Sequence, residues 1–156
     1  MGIARKVETL EKVKPVKGEF PVKYKYTMPA HQERFFLALK DFGKLTGTKC
    51  EKCGTTYVPP VWFCEKCFVR LDKAFEVPDT GTLQAFSVAH EGPDGKRLSE
   101  PVVYGVVKLR GASTVMLHRV LSDPGKLATG MKVKALLKPK NKRRGSITDI
   151  EGFVPA

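Results

Sequence analysis

Every cysteine of the 156-residue chain lies within the stretch CEKCGTTYVPPVWFCEKCF at 50–68. Cys50 and Cys53 form one pair and Cys64 and Cys67 a second, each with two residues between its thiols and ten residues between the pairs. Two such knuckles can present four thiolates to one ion, which is the arrangement of a tetrahedral zinc centre. A shell of four thiolates is closed and leaves no position for a reacting group, so the expected role of the metal is structural. Gly54 supplies the positive φ that lets backbone amides turn toward the sulfurs of the first knuckle, and Pro59-Pro60 stiffens the connecting loop. Phe68 holds the matching place after the second knuckle, where a bulky side chain at positive φ is costly. The same spacing admits an iron site, a redox pair or buried free thiols; a reducing compartment weighs toward metal.

Other chemistry-bearing residues are sparse. His31, His90 and His118 are scattered along the chain, and with four sulfurs already completing a shell their expected role is packing. No nucleophile and base stand at a useful spacing, so the chain is not expected to be an enzyme by itself. The formal net charge of +12 points to a polyanionic partner such as nucleic acid, anionic lipid or a phosphate-bearing cofactor. No apolar run is long enough to span a bilayer, and MGIARKVETLEKVKP lacks the apolar core of a secretory signal. A cytoplasmic protein is therefore expected.

These groups need a scaffold, and 156 residues suit one compact particle or two small modules sharing a core. Residues 1–27 carry seven basic and three acidic side chains without apolar periodicity and read as a flexible basic arm. From residue 28 the pattern is helical: Pro29 suits a first turn, Phe35, Phe36, Leu39 and Phe42 recur on one face, and Gly43 is a stop signal. After the cysteines the text turns β-like, with strands expected at 81–90, 101–110, 113–121, 131–138 and 146–153. Five strands with no long helix between them suggest a small closed barrel, for which the OB-fold is the common solution. The segments are thus an arm over 1–27, a helix and zinc ribbon over 28–77, and an OB-fold domain over 78–156, giving a mainly β protein.

In PVVYGVVKLRG one strand face carries Val103, Gly105, Val107 and Leu109, and the other carries Val102, Tyr104 and Val106. A barrel strand exposed to water outside should alternate, so apolar residues on both faces imply that part of the exterior is covered, by the helix, the ribbon or another chain.

Taken together, GTKCEKCGTTYVPP, FCEKCF, DTGTLQAFSV, PVVYGVVKL, TGMKVKA and GFVP resemble the acyl-CoA-associated proteins that join a zinc ribbon to an OB-fold. The resemblance covers about residues 30–155. It implies a rubredoxin-like ribbon ahead of the barrel. It also implies a non-catalytic accessory role beside a thiolase-like or hydroxymethylglutaryl-CoA-synthase-like enzyme in a hetero-oligomer, with zinc structural at Cys50, Cys53, Cys64 and Cys67.

Such a role accounts for the charge, because coenzyme A carries a diphosphate and a ribose phosphate. Residues 124–148 hold eight basic side chains and no acid, densest at Lys138, Lys140, Lys142, Arg143 and Arg144. Arginine forks and lysine point charges both suit phosphate, so these five are candidate contacts for an acyl-CoA held jointly with a partner. The alternative for the run is a solvated hairpin tip. The alternative for the whole chain is a nucleic-acid-binding protein. Against that stands the shortage of stacking aromatics on the middle strands, where Tyr104 is alone among aliphatic residues.

Overall fold

The computed structural model describes Gly18, Lys23 and residues 25–156. The expected arm over 1–27 therefore lies almost wholly outside the described residues.

Helix α1 spans Ala30–Phe42, with Glu33 in its first turn and Lys40 in its last, so both charges oppose the helix dipole. Gly43 takes the left-handed conformation at φ 66°. Its N–H donates to the Leu39 carbonyl at 3.1 Å and that of Lys44 donates to Ala38 at 3.2 Å, which closes the last turn. Phe35 and Leu39 are completely buried and Phe36 is half-buried, whereas Phe42 is 73% exposed. The expected stripe thus runs out one turn before the helix does.

Three short strands follow. β1 (Leu45–Lys49) lies between β2 (Thr56–Tyr57) and β3 (Ala74–Val77), antiparallel to both. They form the stalk of the cysteine segment, and Thr48 on β1 fixes the loop beyond it: its hydroxyl donates to the Val61 carbonyl and accepts from the Val61 N–H, both at 3.1 Å.

The remaining strands are β4 (Thr80–Glu91), β5 (Arg97–Leu109), β6 (Met116–Val120), β7 (Lys132–Leu137) and β8 (Ile150–Pro155). They close into a barrel in the order β4-β5-β6-β8-β7, with β7 returning to β4. Every pairing is antiparallel except β6 with β8. This is the OB-fold path, and all five expected strands are present. Several ends differ, each with a local cause. β5 begins at Arg97 because the turn over 92–96 is tight, with the Gly92 N–H donating to Lys96 at 2.8 Å. β6 begins only at Met116 because Ser113 and Thr114 are tied to the ribbon: the Ser113 hydroxyl accepts from the Thr56 N–H at 3.0 Å, and Thr114 bonds both the N–H and the carbonyl of Val58. β8 begins at Ile150 because Ile147–Asp149 forms a single 3-10 turn capped by Ser146.

Inward-facing Leu83, Val103, Val107, Val120, Val133 and Phe153 fill the barrel, and the same apolar cluster takes in Phe35 and Leu39 of α1 and Leu45, Val58 and Val77 of the stalk. A second, smaller cluster of Cys50, Tyr57, Cys64 and Leu71 lies around the cysteines. Register shifts in β4 after Leu83 and after Ala89 give that long strand the bend a closed barrel requires. At the corner, Gly81 is paired with Leu109 on one side and Val133 on the other. A Cβ there would lie 2.5 Å from the Lys108 carbonyl oxygen. Gly81→Ala is therefore expected to destabilise the protein by about 2 kcal/mol in denaturant unfolding, with bound metal unchanged in the folded fraction.

Candidate metal centre and basic loop

The two knuckles are built alike. The Cys50 N–H donates to Thr55 at 2.9 Å and the Gly54 N–H donates back to Cys50 at 2.7 Å; in the second knuckle Cys64 donates to Val69 at 2.9 Å and Phe68 back to Cys64 at 2.8 Å. Both turns need a left-handed residue, Gly54 at φ 72° and Phe68 at φ 55°. Phe68 is the only non-glycine residue at positive φ among the described residues, and its ring is 82% exposed. The geometric cost noted at this position is thus carried, not avoided.

Folding the knuckles toward each other brings the Cys50, Cys53, Cys64 and Cys67 sulfurs within 4.8 Å of one another. Sulfurs bound to one zinc at about 2.3 Å stand about 3.8 Å apart in a tetrahedron. The Cys53 and Cys64 sulfurs are 3.6 Å apart, so the donor set fits that ion closely. Cys50 and Cys64 are fully buried, Cys67 is half-buried and Cys53 is exposed. The Tyr57 hydroxyl lies 3.3 Å from Cys64 Sγ. Its hydrogen bond brings that thiol down to about 6, and the same bond pushes Tyr57 up to about 12. Burial pushes Cys67 up to about 12, while the Thr55 side chain lowers Cys53. The cluster therefore holds two thiols disposed to ionise, Cys64 and Cys53, the state a metal ligand must reach.

Two of the three histidines pack. His31 is 4% exposed, its Nε2 is hydrogen-bonded to the Leu71 carbonyl, and its ring lies 5.3 Å from that of Trp62. Trp62 also carries the Arg70 guanidinium 5.0 Å from its ring centre, so α1 is fastened to the ribbon through an aromatic joint. His118 meets Phe153 edge-on, and His90 is exposed.

The basic loop is not a free hairpin tip. Lys140–Lys142 forms a 3-10 turn, and the buried Asp149 carboxylate gathers the backbone beyond it, accepting from the N–H groups of Arg144 at 2.9 Å, Gly145 at 2.7 Å and Ser146 at 3.2 Å. Burial alone would raise the Asp149 pKa, but these three amides and the nearby Lys138 outweigh it and hold the carboxyl below its ordinary value. Arg143 turns inward: its Nε donates to the Lys138 carbonyl at 2.7 Å, and its guanidinium lies against Gly43 at the end of α1, where a Cβ would come within 2.7 Å. Of the five candidate phosphate contacts, Arg143 is half-buried, with its Nε engaged by the Lys138 carbonyl. Lys140, Lys142 and Arg144 are exposed and Lys138 is half-exposed. Sequence reading missed Asp149, although Ser146 three residues before it is a legible capping box.

Cys64→Ser removes a buried ligand, and elemental analysis is expected to find bound zinc well below one ion per chain. Asp149→Asn is expected to cost about 2–4 kcal/mol at neutral pH, because a carboxylate accepting three backbone hydrogen bonds is lost. The Asp149 pKa is depressed by folding, so its stabilisation is complete above the ordinary carboxylate range and is lost as pH falls through the folded value. Denaturant unfolding at a series of acid pH values should accordingly show a shallower loss of stability below about pH 4 in the variant than in the parent.

Comparison with known proteins agrees with this architecture. Residues 40–72 match the rubredoxin-like zinc ribbon domain of ChsH2, and residues 75–138 match the ChsH2 C-terminal OB-fold domain. A DUF35 domain-containing scaffold protein of Methanocaldococcus jannaschii is 26% identical over 95 residues, 60% of this chain and 67% of that protein. The crystal structure of a DUF35 protein from Sulfolobus solfataricus superposes with a TM-score of 0.59 at 28% identity, covering 69% of this chain and 77% of the other. The Ltp2-ChsH2(DUF35) aldolase shares the fold at a TM-score of 0.61 and 23% identity, over 84% of this chain and 98% of that one. With a four-cysteine ribbon leading directly into an OB barrel, in the order of those two domains, the chain belongs to the proteins that join a ChsH2-type zinc ribbon to a ChsH2-type OB-fold domain.

Proposed function

We propose that the chain is a non-catalytic, zinc-stabilised accessory subunit of a cytoplasmic acyl-CoA enzyme of thiolase type, docking on that enzyme and helping to hold its CoA substrate. Cys50, Cys53, Cys64 and Cys67 would ligate the zinc, whose chemistry in a closed thiolate shell is structural.

The observation that carries this reading is the apolar outer face of the barrel. On β5 and β6 the outward pairs are Tyr104 with Arg119 and Val106 with Leu117. Tyr104 is 45% and Leu117 70% exposed, while Val103, Gly105 and Val107 face inward. A strand apolar on both sides buries one face in its own core and offers the other to a companion. The neighbouring cations Lys138, Lys142 and Arg144 fit the phosphates of a CoA seated at such a junction. Two relatives support a companion role: one is a DUF35 domain-containing scaffold protein, and the other is a chain of the Ltp2-ChsH2(DUF35) aldolase.

Affinity capture of the tagged chain from native extract, followed by mass spectrometry, is expected to recover a stoichiometric acyl-CoA enzyme subunit. Recovery of the chain alone, or turnover of acyl-CoA by the isolated chain, would overturn the reading. In the reconstituted complex, Lys142→Glu with Arg144→Glu is expected to raise KM for the CoA substrate by about tenfold with kcat unchanged, the size of one or two lost charge-assisted contacts. Retention on single-stranded DNA that falls steeply with salt would instead favour a nucleic-acid partner.

A further inference from the structure

The barrel is closed unevenly. β4 and β5 are registered along most of their length, but β6 and β8 meet at one registered pair, Val120 with Phe153, supported by the Leu121 N–H donating to Phe153 at 2.8 Å. Below that point the two strands part, and the turn Ile147–Asp149 flanks the opening. The result is an open trough of about 590 Å³ in which Tyr104, Leu117, Leu121, Ile147 and Ile150 form the apolar wall. A second trough of about 560 Å³ adjoins it, lined by Lys138, Asn141, Lys142 and Arg144. The two share Lys138, Thr148 and Glu151, so a largely apolar hollow and a cationic one lie side by side along the seam.

We infer that this seam binds a phosphate-headed amphiphile, with the apolar tail along Leu117 and Ile147 and the anionic head on Lys138, Lys142 and Arg144. Each half has the volume of a small-molecule site, and the division into an apolar wall and a few polar groups is how such sites gain both affinity and orientation. The charge has a sign: Arg119, Lys138, Lys142 and Arg144 line the two halves against the single acid Glu151. The cationic end is also held in shape. Asp149 fixes the amides of Arg144, Gly145 and Ser146 from beneath while remaining 1% exposed itself, so it organises the loop without adding negative charge to the surface. Arg143, bonded to the Lys138 carbonyl, anchors the base of the same turn.

Two ligands share this chemistry: a long-chain acyl-CoA and an anionic phospholipid. The acyl-CoA identity rests on the function proposed above, whereas the trough itself does not.

The test is calorimetric titration of the zinc-loaded full chain with CoA, butyryl-CoA and lauroyl-CoA, beside sedimentation with phosphatidylglycerol or phosphatidylcholine vesicles. Lauroyl-CoA is expected to bind at least about tenfold more tightly than butyryl-CoA, since each buried methylene adds to affinity. Ile147→Asp, and separately Leu117→Asp, should remove that increment while CoA itself shifts less than about twofold. Both positions are surface-exposed, so retained zinc and an unchanged melting temperature would establish that the variants are folded. Affinity independent of chain length, or an increment that survives both substitutions, would overturn the trough and leave the accessory-subunit reading to stand on partner capture. Preferential binding to phosphatidylglycerol vesicles, lost in the same variants, would uphold the trough and remove acyl-CoA as its ligand.

Discussion

A single apolar core runs through three elements that could each have been separate. Phe35 and Leu39 of the helix, Leu45, Val58 and Val77 of the stalk, and Leu83, Val107 and Phe153 of the barrel belong to one cluster. A stalk of three short strands and a lone thirteen-residue helix are marginal by themselves in water. Packed on the barrel they share its burial. The aromatic joint of His31, Trp62 and Arg70 and the Ser113 and Thr114 hydrogen bonds then fix where the ribbon sits. The sulfur cluster extends this arrangement outward, with only a small apolar cluster of its own, Cys50, Tyr57, Cys64 and Leu71, to pack against. Hydrophobic burial therefore holds the base of the ribbon, and coordination chemistry is left to hold its end.

The basic loop follows the opposite logic. A run of like charges has little apolar surface to bury, so its order comes from one internal anion. Asp149 occupies the three amides that an external phosphate would otherwise find inviting, and this leaves the side-chain cations on the outside as the available positive groups. Arg143 is drawn toward Gly43 at the C-terminal end of α1, where the helix dipole favours a cation. Order and availability are thus divided between neighbouring residues of the same five-residue cluster.

Much of this was legible in the residues alone. Paired cysteines at fixed spacing, a glycine after a helical stripe and five apolar runs between turn signals each have a local physical meaning, and the ribbon, the Gly43 stop and the strand count emerged from them. What stayed hidden depended on distant partners. The late start of β6 reflects hydroxyls bonding to residues more than fifty positions away, and the exposure of Phe42 reflects where the packed length of α1 ends. The inward turn of Arg143 depends on Gly43, a hundred residues earlier. The trough was only half visible, because Tyr104 on a doubly apolar strand signalled an uncovered face, but the parting of β6 from β8 is a property of barrel closure and not of any one segment.

The two knuckles repeat the tetrapeptide Cys-Glu-Lys-Cys and the same pair of backbone hydrogen bonds, and differ in the residue that completes the turn. Gly54 accepts its left-handed torsion freely, whereas Phe68 meets it against steric resistance from its own side chain. The resulting cluster is mechanically lopsided. One arm reaches its turn without torsional cost and the other only under strain, so two halves of a single ligand set start from unequal conformational footing.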